Sequence, residues 1–248
     1  MLCIIKIRKE LDTKNKIKNR NKRLVLKMID MFYIVTALLK TSCYALIGAY
    51  LLKEWMKLEK KYTSDIPFLM GVGIMFLIPG TIIDQLVMLG FIGPGIMYNV
   101  RYALDLICTQ LILGAMLSVW MASRVKLRYI IIIVASIIST IVFLILPSDV
   151  ILLDLASAII TLPCVLSLII TFMFTYYTRR LTNVHGLLIS LAAIIVLIGN
   201  FIRPLLKSTA VSPIMPYGLS WITNLTIIAG WIVMYFGLKL KPEFNEKL

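Results

Sequence analysis

Three acidic and three basic side chains interrupt otherwise apolar stretches of this chain: Lys40, Asp84, Arg101, Asp105, Asp154 and Arg203. The segment IPGTIIDQLVMLGFIGPGIMYNVRYALDL at 78–106 holds half of them. Arg101 and Asp105 stand four apart, a spacing that puts two side chains on one helix face. A charge at the centre of a bilayer costs about 2.5–3.5 kcal/mol, so such groups turn inward, pair, and mark ion or solute sites. Polar neighbours recur at helical spacing. Thr109 continues the Arg101–Asp105 face, Thr81 precedes Asp84 by three residues, and Asn200 precedes Arg203 by three. Ser220, Thr223 and Asn224 form a polar stripe in the last apolar segment.

Two chemistries fit the six charges. One is a polar cavity, open to the outside, that binds an ion or a small polar ligand. The other is an ion-pair network that ties helices together, with Arg101, Asp154 and Arg203 snorkelling at the membrane boundary. The same residues serve both. Lys40 is the deepest, about 13 Å below the surface by helical rise, and Asp84 and Asp105 are its expected salt-bridge partners.

Other reactive residues are thinly supplied. Cys43, Cys108 and Cys164 fall in different apolar segments, Cys3 lies near the amino end, and there is one histidine, His185. No CxxC pair exists, so no Cys/His metal site is expected. The three cysteines of the apolar segments read as small buried hydrophobes and His185 as a solvated loop residue. Cys164 and His185 differ by about 30 Å along the chain, too far in depth for a nucleophile pair. No cofactor is implied: GVG at 71–73 reads as close helix packing and GPG at 93–95 as a turn. Enzyme chemistry is therefore disfavoured.

The elements that position the charges follow from composition. Of 248 residues, 60% are hydrophobic and 15% charged, with a mean hydropathy of +0.93. Soluble domains carry about a quarter charged residues. Seven apolar segments run over 31–52, 66–89, 102–123, 129–147, 150–177, 187–206 and 217–238. Each is long enough to cross a bilayer as a helix, and the fifth has Pro163 at which to kink. Alternating strands of a barrel are absent, and lipid leaves open backbone groups without water. The expected fold is an all-α integral membrane protein, a bundle of seven transmembrane helices with no soluble domain. Lipid is its first partner, and other membrane subunits are further candidates.

Alternation of the spans sets depth. It brings all six charges into one half of the membrane, whichever way the bundle is inserted. Short loops on one side, with the carboxyl end, carry Lys53, Lys57, Lys60, Lys61, Arg124, Lys126, Arg128, Arg179, Arg180, Lys239, Lys241 and Lys247; those opposite carry Arg101, Arg203 and Lys207. The richer side is expected in the cytoplasm of a multi-pass cell-membrane protein, with the amino end outside and the carboxyl end inside. The charges then occupy the outer half. Residues 1–27 oppose this rule, with ten basic residues against Glu10 and Asp12; without them the net charge falls from +14 to +6. The expectation is a tail over 1–27 outside the mature chain, synthesis from Met28 or Met31, a bundle over 28–241 and a short tail over 242–248.

The run RYALDLICT at 101–109 resembles the third helix of archaeal-type rhodopsins, which carries Arg-Tyr-Ala-Asp followed by Thr. That resemblance implies seven helices and retinal held on a lysine of the last one. It covers nine residues, and its Asp is displaced by one position. The last segment, PYGLSWITNLTIIAGWIVMYFGL, has no lysine, which excludes covalent retinal in the last helix. Chance likeness between apolar helices accounts for the match. The pair Cys164 and Arg203 resembles the Cys–Arg pair of membrane-embedded sortase-like transpeptidases, but the third residue of such a site is missing from the last span.

The sequence therefore reads as a non-enzymatic, sensor-like bundle or a subunit of a membrane assembly, with a charged site in the outer half. The alternative is a transporter using Lys40, Asp84 and Asp105. A water-lined path would need polar residues to continue inward, where the fourth, fifth and sixth spans are almost purely Ile, Leu, Val and Phe.

Overall fold

The computed structural model describes residues 31–63, 65–89, 91–93, 95–181, 183–208 and 220–242. The tail at 1–27 and residues 243–248 lie outside the described residues, as do the side chains of Lys207 and Ser220. The described residues form seven helices: α1 (Met31–Met56), α2 (Ile66–Met88), α3 (Gly95–Trp120), α4 (Val125–Ile145), α5 (Val150–Tyr177), α6 (Gly186–Ser208) and α7 (Ser220–Lys239). All seven are long and apolar enough to cross a bilayer, and no strand occurs among the described residues. The chain is a polytopic membrane protein in contact with lipid.

The third helix begins earlier than expected, at Gly95 rather than at 102. Asn99 and Arg101 broke the apolar run in the sequence, yet both are buried. Arg101 therefore lies well inside α3 rather than snorkelling at its mouth. Asn99 explains part of the shift. Its Nδ2 donates to the carbonyls of Phe143 at 2.7 Å and Leu146 at 2.8 Å, while Ser148 Oγ donates to its Oδ1 at 2.8 Å. It satisfies carbonyls left open at the end of α4.

Six helices enclose a central space. Contacts join α2 to α3, α3 to α5, α5 to α6 and α6 to α7. The ring closes through α1, which meets α7 where the Tyr44 and Trp231 rings pack edge-on at 5.5 Å. A Cβ on Gly48 of α1 would lie 3.0 Å from Met75 of α2, so those helices also pack closely. The fourth helix stays outside the ring, against α3. Its residues Ile130, Ile133, Ile137, Ile138 and Ile141 are exposed, an apolar face for lipid to cover.

One half of the ring is filled by an apolar core that includes Ile47, Leu51, Met70, Ile74, Met116, Phe172 and Ile189. Glycines admit close approach there. Gly73 faces the Cys108 carbonyl, and Gly230 faces Val196 and the Ala192 carbonyl. Hydroxyls in this region are absorbed by backbone. Thr171 donates to the Ser167 carbonyl, Thr175 to that of Phe172, and Ser190 to that of Ile169.

Candidate functional site

The other half of the ring holds the charges. Arg101 of α3 is 3% exposed and contacts three carboxylates. Its Nε lies 3.1 Å from Asp84 Oδ2, its Nη2 3.1 Å from Asp105 Oδ2, and its Nη1 3.8 Å from Asp154 Oδ1. Arg203 of α6 reaches two of the same groups, with Nη2 3.3 Å from Asp84 Oδ2 and Nε 3.6 Å from Asp154 Oδ1. The network thus joins α2, α3, α5 and α6. Tyr102 donates its hydroxyl to Asp154 Oδ1 and carries the Arg101 guanidinium over its ring at 4.2 Å. Tyr102 stacks in turn on Phe143, which fixes its orientation. Arg101, Asp154 and Arg203 are anchored in the interior and do not snorkel.

Lys40 takes a different partner from the one expected. Its Nζ donates to Asn224 Oδ1 of α7 at 2.8 Å rather than bridging to Asp84 or Asp105. Asn224 Nδ2 donates to Thr36 Oγ1 at 3.3 Å, and Thr36 Oγ1 bonds back to the carbonyls of Phe32 and Tyr33. Asp84 and Asp105 point their paired oxygens at guanidinium groups, which leaves the neutral amide to take the ammonium. The six charges sum to zero, but they form a five-member ion-pair network and one separate, amide-bound lysine.

A cavity of about 130 Å³ opens among these residues, with walls from all six ring helices. Its polarity falls with depth along each wall. On α3 the order is Arg101, Asp105, Thr109, Ile112; on α5 it is Asp154, Ser157, Thr161, Val165. Arg203, Asn200 and Val196 repeat the gradient on α6, as do Thr81 and Leu77 on α2. Trp231 and Ile227 of α7, with Tyr44 of α1, wall its deeper part. A second chamber of about 70 Å³ shares Thr109, Ile112, Val165, Val196 and Trp231 with the first and adds Cys164, Leu168, Ala193 and Met234.

The supporting polar residues divide into two groups. Asn200 lines the cavity, and its amide makes no hydrogen bond among the described residues. Thr81 and Thr109 also line it, but their hydroxyls donate to Leu77 and Asp105 carbonyls of their own helices. Thr223 and Asn224 are buried on α7. Gly80 leaves room for the site: a Cβ there would stand 3.0 Å from Asp105 Oδ1.

Cys108 and Cys164 are buried, and Cys43 is half-buried. Cys164 walls only the deep chamber and Arg203 only the charged one, so they do not form a Cys–Arg pair. His185 is not a solvated loop residue. It is half-buried, stacks on Tyr176 with ring centroids 5.3 Å apart, and its Nδ1 accepts from the Leu188 N–H at 3.4 Å at the start of α6. Among the described residues no group of three or more His, Cys, Asp and Glu is arranged to hold a metal ion.

Tyr44, Tyr102, Ser157, Thr161 and Trp231 escaped the sequence reading. Tyr44 stands four residues after Lys40 and Trp231 seven after Asn224, each on the same helix face as a flagged residue. That periodicity was the available signal; aromatic rings in a membrane helix otherwise read as packing. Compared with protein-family models, curated proteins and solved structures, the chain matches none.

Proposed function

We propose that this protein is a non-enzymatic, sensor-like membrane bundle, or the sensing subunit of a membrane assembly, whose charged cavity binds an ion or small polar solute from outside. The observation that carries this reading is the blind polarity gradient. Charged groups crowd one end of the cavity, and its far end meets the apolar core. A transporter needs polar footing on both sides of its substrate. Here the far-half hydroxyls are bonded to backbone. A network serving only to tie helices needs no cavity beside it, and Lys40 and Asn200 would have no reason to line one. The loop charges favour a cell-membrane orientation with the amino end outside, which opens the charged end to the exterior.

The test uses the full chain in lipid nanodiscs. Its melting temperature is followed against a panel of salts, organic ions and small zwitterions. A ligand at 100 times its Kd adds about 2.7 kcal/mol of stability, and Asp105→Asn should abolish that rise. The same solute should show no uptake into sealed proteoliposomes. Concentrative or downhill flux makes the protein a transporter. Absence of any stabilising solute returns the cluster to a helix-tying role.

A further inference from the structure

The residues of this cavity leave specific valences open. Lys40 uses one of its N–H donors, on Asn224. Among the described residues Asp105 is paired through Oδ2 alone, and its side chain is 22% exposed against 3–4% for Asp84, Asp154 and Arg101. Trp231 is 5% exposed, and its Nε1 has no hydrogen-bond partner among the described residues. The Trp231 ring meets Tyr44, one helical turn from Lys40, and it walls both chambers. The site thus offers an ammonium and a buried indole N–H to an anionic group, and a half-paired carboxylate to a cationic one.

Charge balance separates the ligand classes. The six charges already sum to zero. A lone anion or cation would add a net charge to a poorly solvated site, and burial of an uncompensated charge is costly. A zwitterion supplies both signs and adds none. Beyond the charges the walls become Ile112, Val165, Val196 and Ile227, then Leu168 and Met234 of the second chamber. An apolar group is favoured there, a charged one is not. An apolar cavity of about 150 Å³ holds benzene. On that scale the two chambers, at about 130 and 70 Å³, take about eight non-hydrogen atoms.

Resting on the reading of the cavity as a ligand site, we propose that its ligand is a small amphipathic zwitterion of the α-amino-acid type. Its carboxylate meets Lys40 and Trp231 Nε1, its ammonium meets Asp105, and a short aliphatic side chain enters the second chamber.

The experiment measures equilibrium binding of radiolabelled leucine to the full chain in nanodiscs. Competitors are 3-methylbutylamine, which lacks the carboxylate, 4-methylpentanoate, which lacks the amine, and glycine, which lacks the apolar body. Leucine should bind saturably, with each competitor at least tenfold weaker. Lys40→Met and Asp105→Asn should each weaken leucine at least tenfold. Trp231→Phe, which keeps the ring and removes the N–H, should weaken it several-fold. Should Lys40→Met not fold, Asp105→Asn and Trp231→Phe carry the test, with folding checked by melting. If a single-charge analogue or chloride binds as well as leucine and Asp105→Asn abolishes that binding, the zwitterion is wrong and the ligand site stands. If nothing in this panel or the wider one binds, both fall.

Discussion

Lys40 on α1 donates a 2.8 Å hydrogen bond to Asn224 on α7, across 184 residues of chain. A buried ammonium thus rests on a neutral amide while three carboxylates are taken by two guanidinium groups. This bond helps to close the ring of helices, because α1 and α7 are the first and last spans.

Removal of either partner should have unequal effects. Asn224→Leu strands a buried charge, for which about 3–5 kcal/mol is typical. Lys40→Met strands a neutral carbonyl oxygen, at about 1–3 kcal/mol, and the negative charge it leaves in excess is shared with Asp105, whose side chain is 22% exposed. Unfolding in detergent micelles should therefore show Asn224→Leu as the more damaging change. The reverse order would mean that Lys40 is held chiefly by the carboxylates.

The carboxylates should also rank. Asp84 Oδ2 lies within 3.1 Å of Arg101 Nε and 3.3 Å of Arg203 Nη2, and its side chain is 3% exposed. Asp105 meets one guanidinium and is 22% exposed. Asp84→Asn is expected to cost about 3–5 kcal/mol. Asp105→Asn should cost clearly less, since water at the cavity compensates part of the loss. Equal losses in denaturant titrations would contradict this ranking.

Gly230 tests the α6–α7 contact. A Cβ there would stand 2.6 Å from Val196 Cγ2 and 3.1 Å from the Ala192 carbonyl oxygen. Valine is stiff at χ1 and backbone cannot step aside, so Gly230→Ala should cost about 1–3 kcal/mol. Among the described residues Gly93 has no atom within 4 Å of such a Cβ. Gly93→Ala should leave the melting temperature within experimental error, and the contrast is read by paired melts of the two variants.

Orientation is tested with single cysteines in a chain whose native cysteines are replaced. Phe91, between α2 and α3, is 74% exposed. Phe91→Cys should react with an impermeant thiol reagent added outside intact cells. Leu58→Cys and Lys126→Cys should react only after lysis. The opposite pattern inverts the bundle and places the charged cavity on the cytoplasmic side.

The number of spans, the absence of strands among the described residues and the gathering of Lys40, Asp84, Arg101, Asp105, Asp154 and Arg203 at one depth were legible in the sequence. These follow from local physics. Lipid requires each crossing to be helical and of a set length, and alternating directions convert residue number into depth. Which helices touch, and how each is rotated about its axis, depends on packing between segments distant in sequence. Only the tertiary structure therefore put α4 outside the ring, gave Lys40 to Asn224 instead of a carboxylate, and drew Arg101 inward. It also set Trp231 at the junction of two chambers. Asp84, Asp105 and Asn224 were all within the depth window of Lys40, and the choice among them fell to helix rotation, which no single helix encodes.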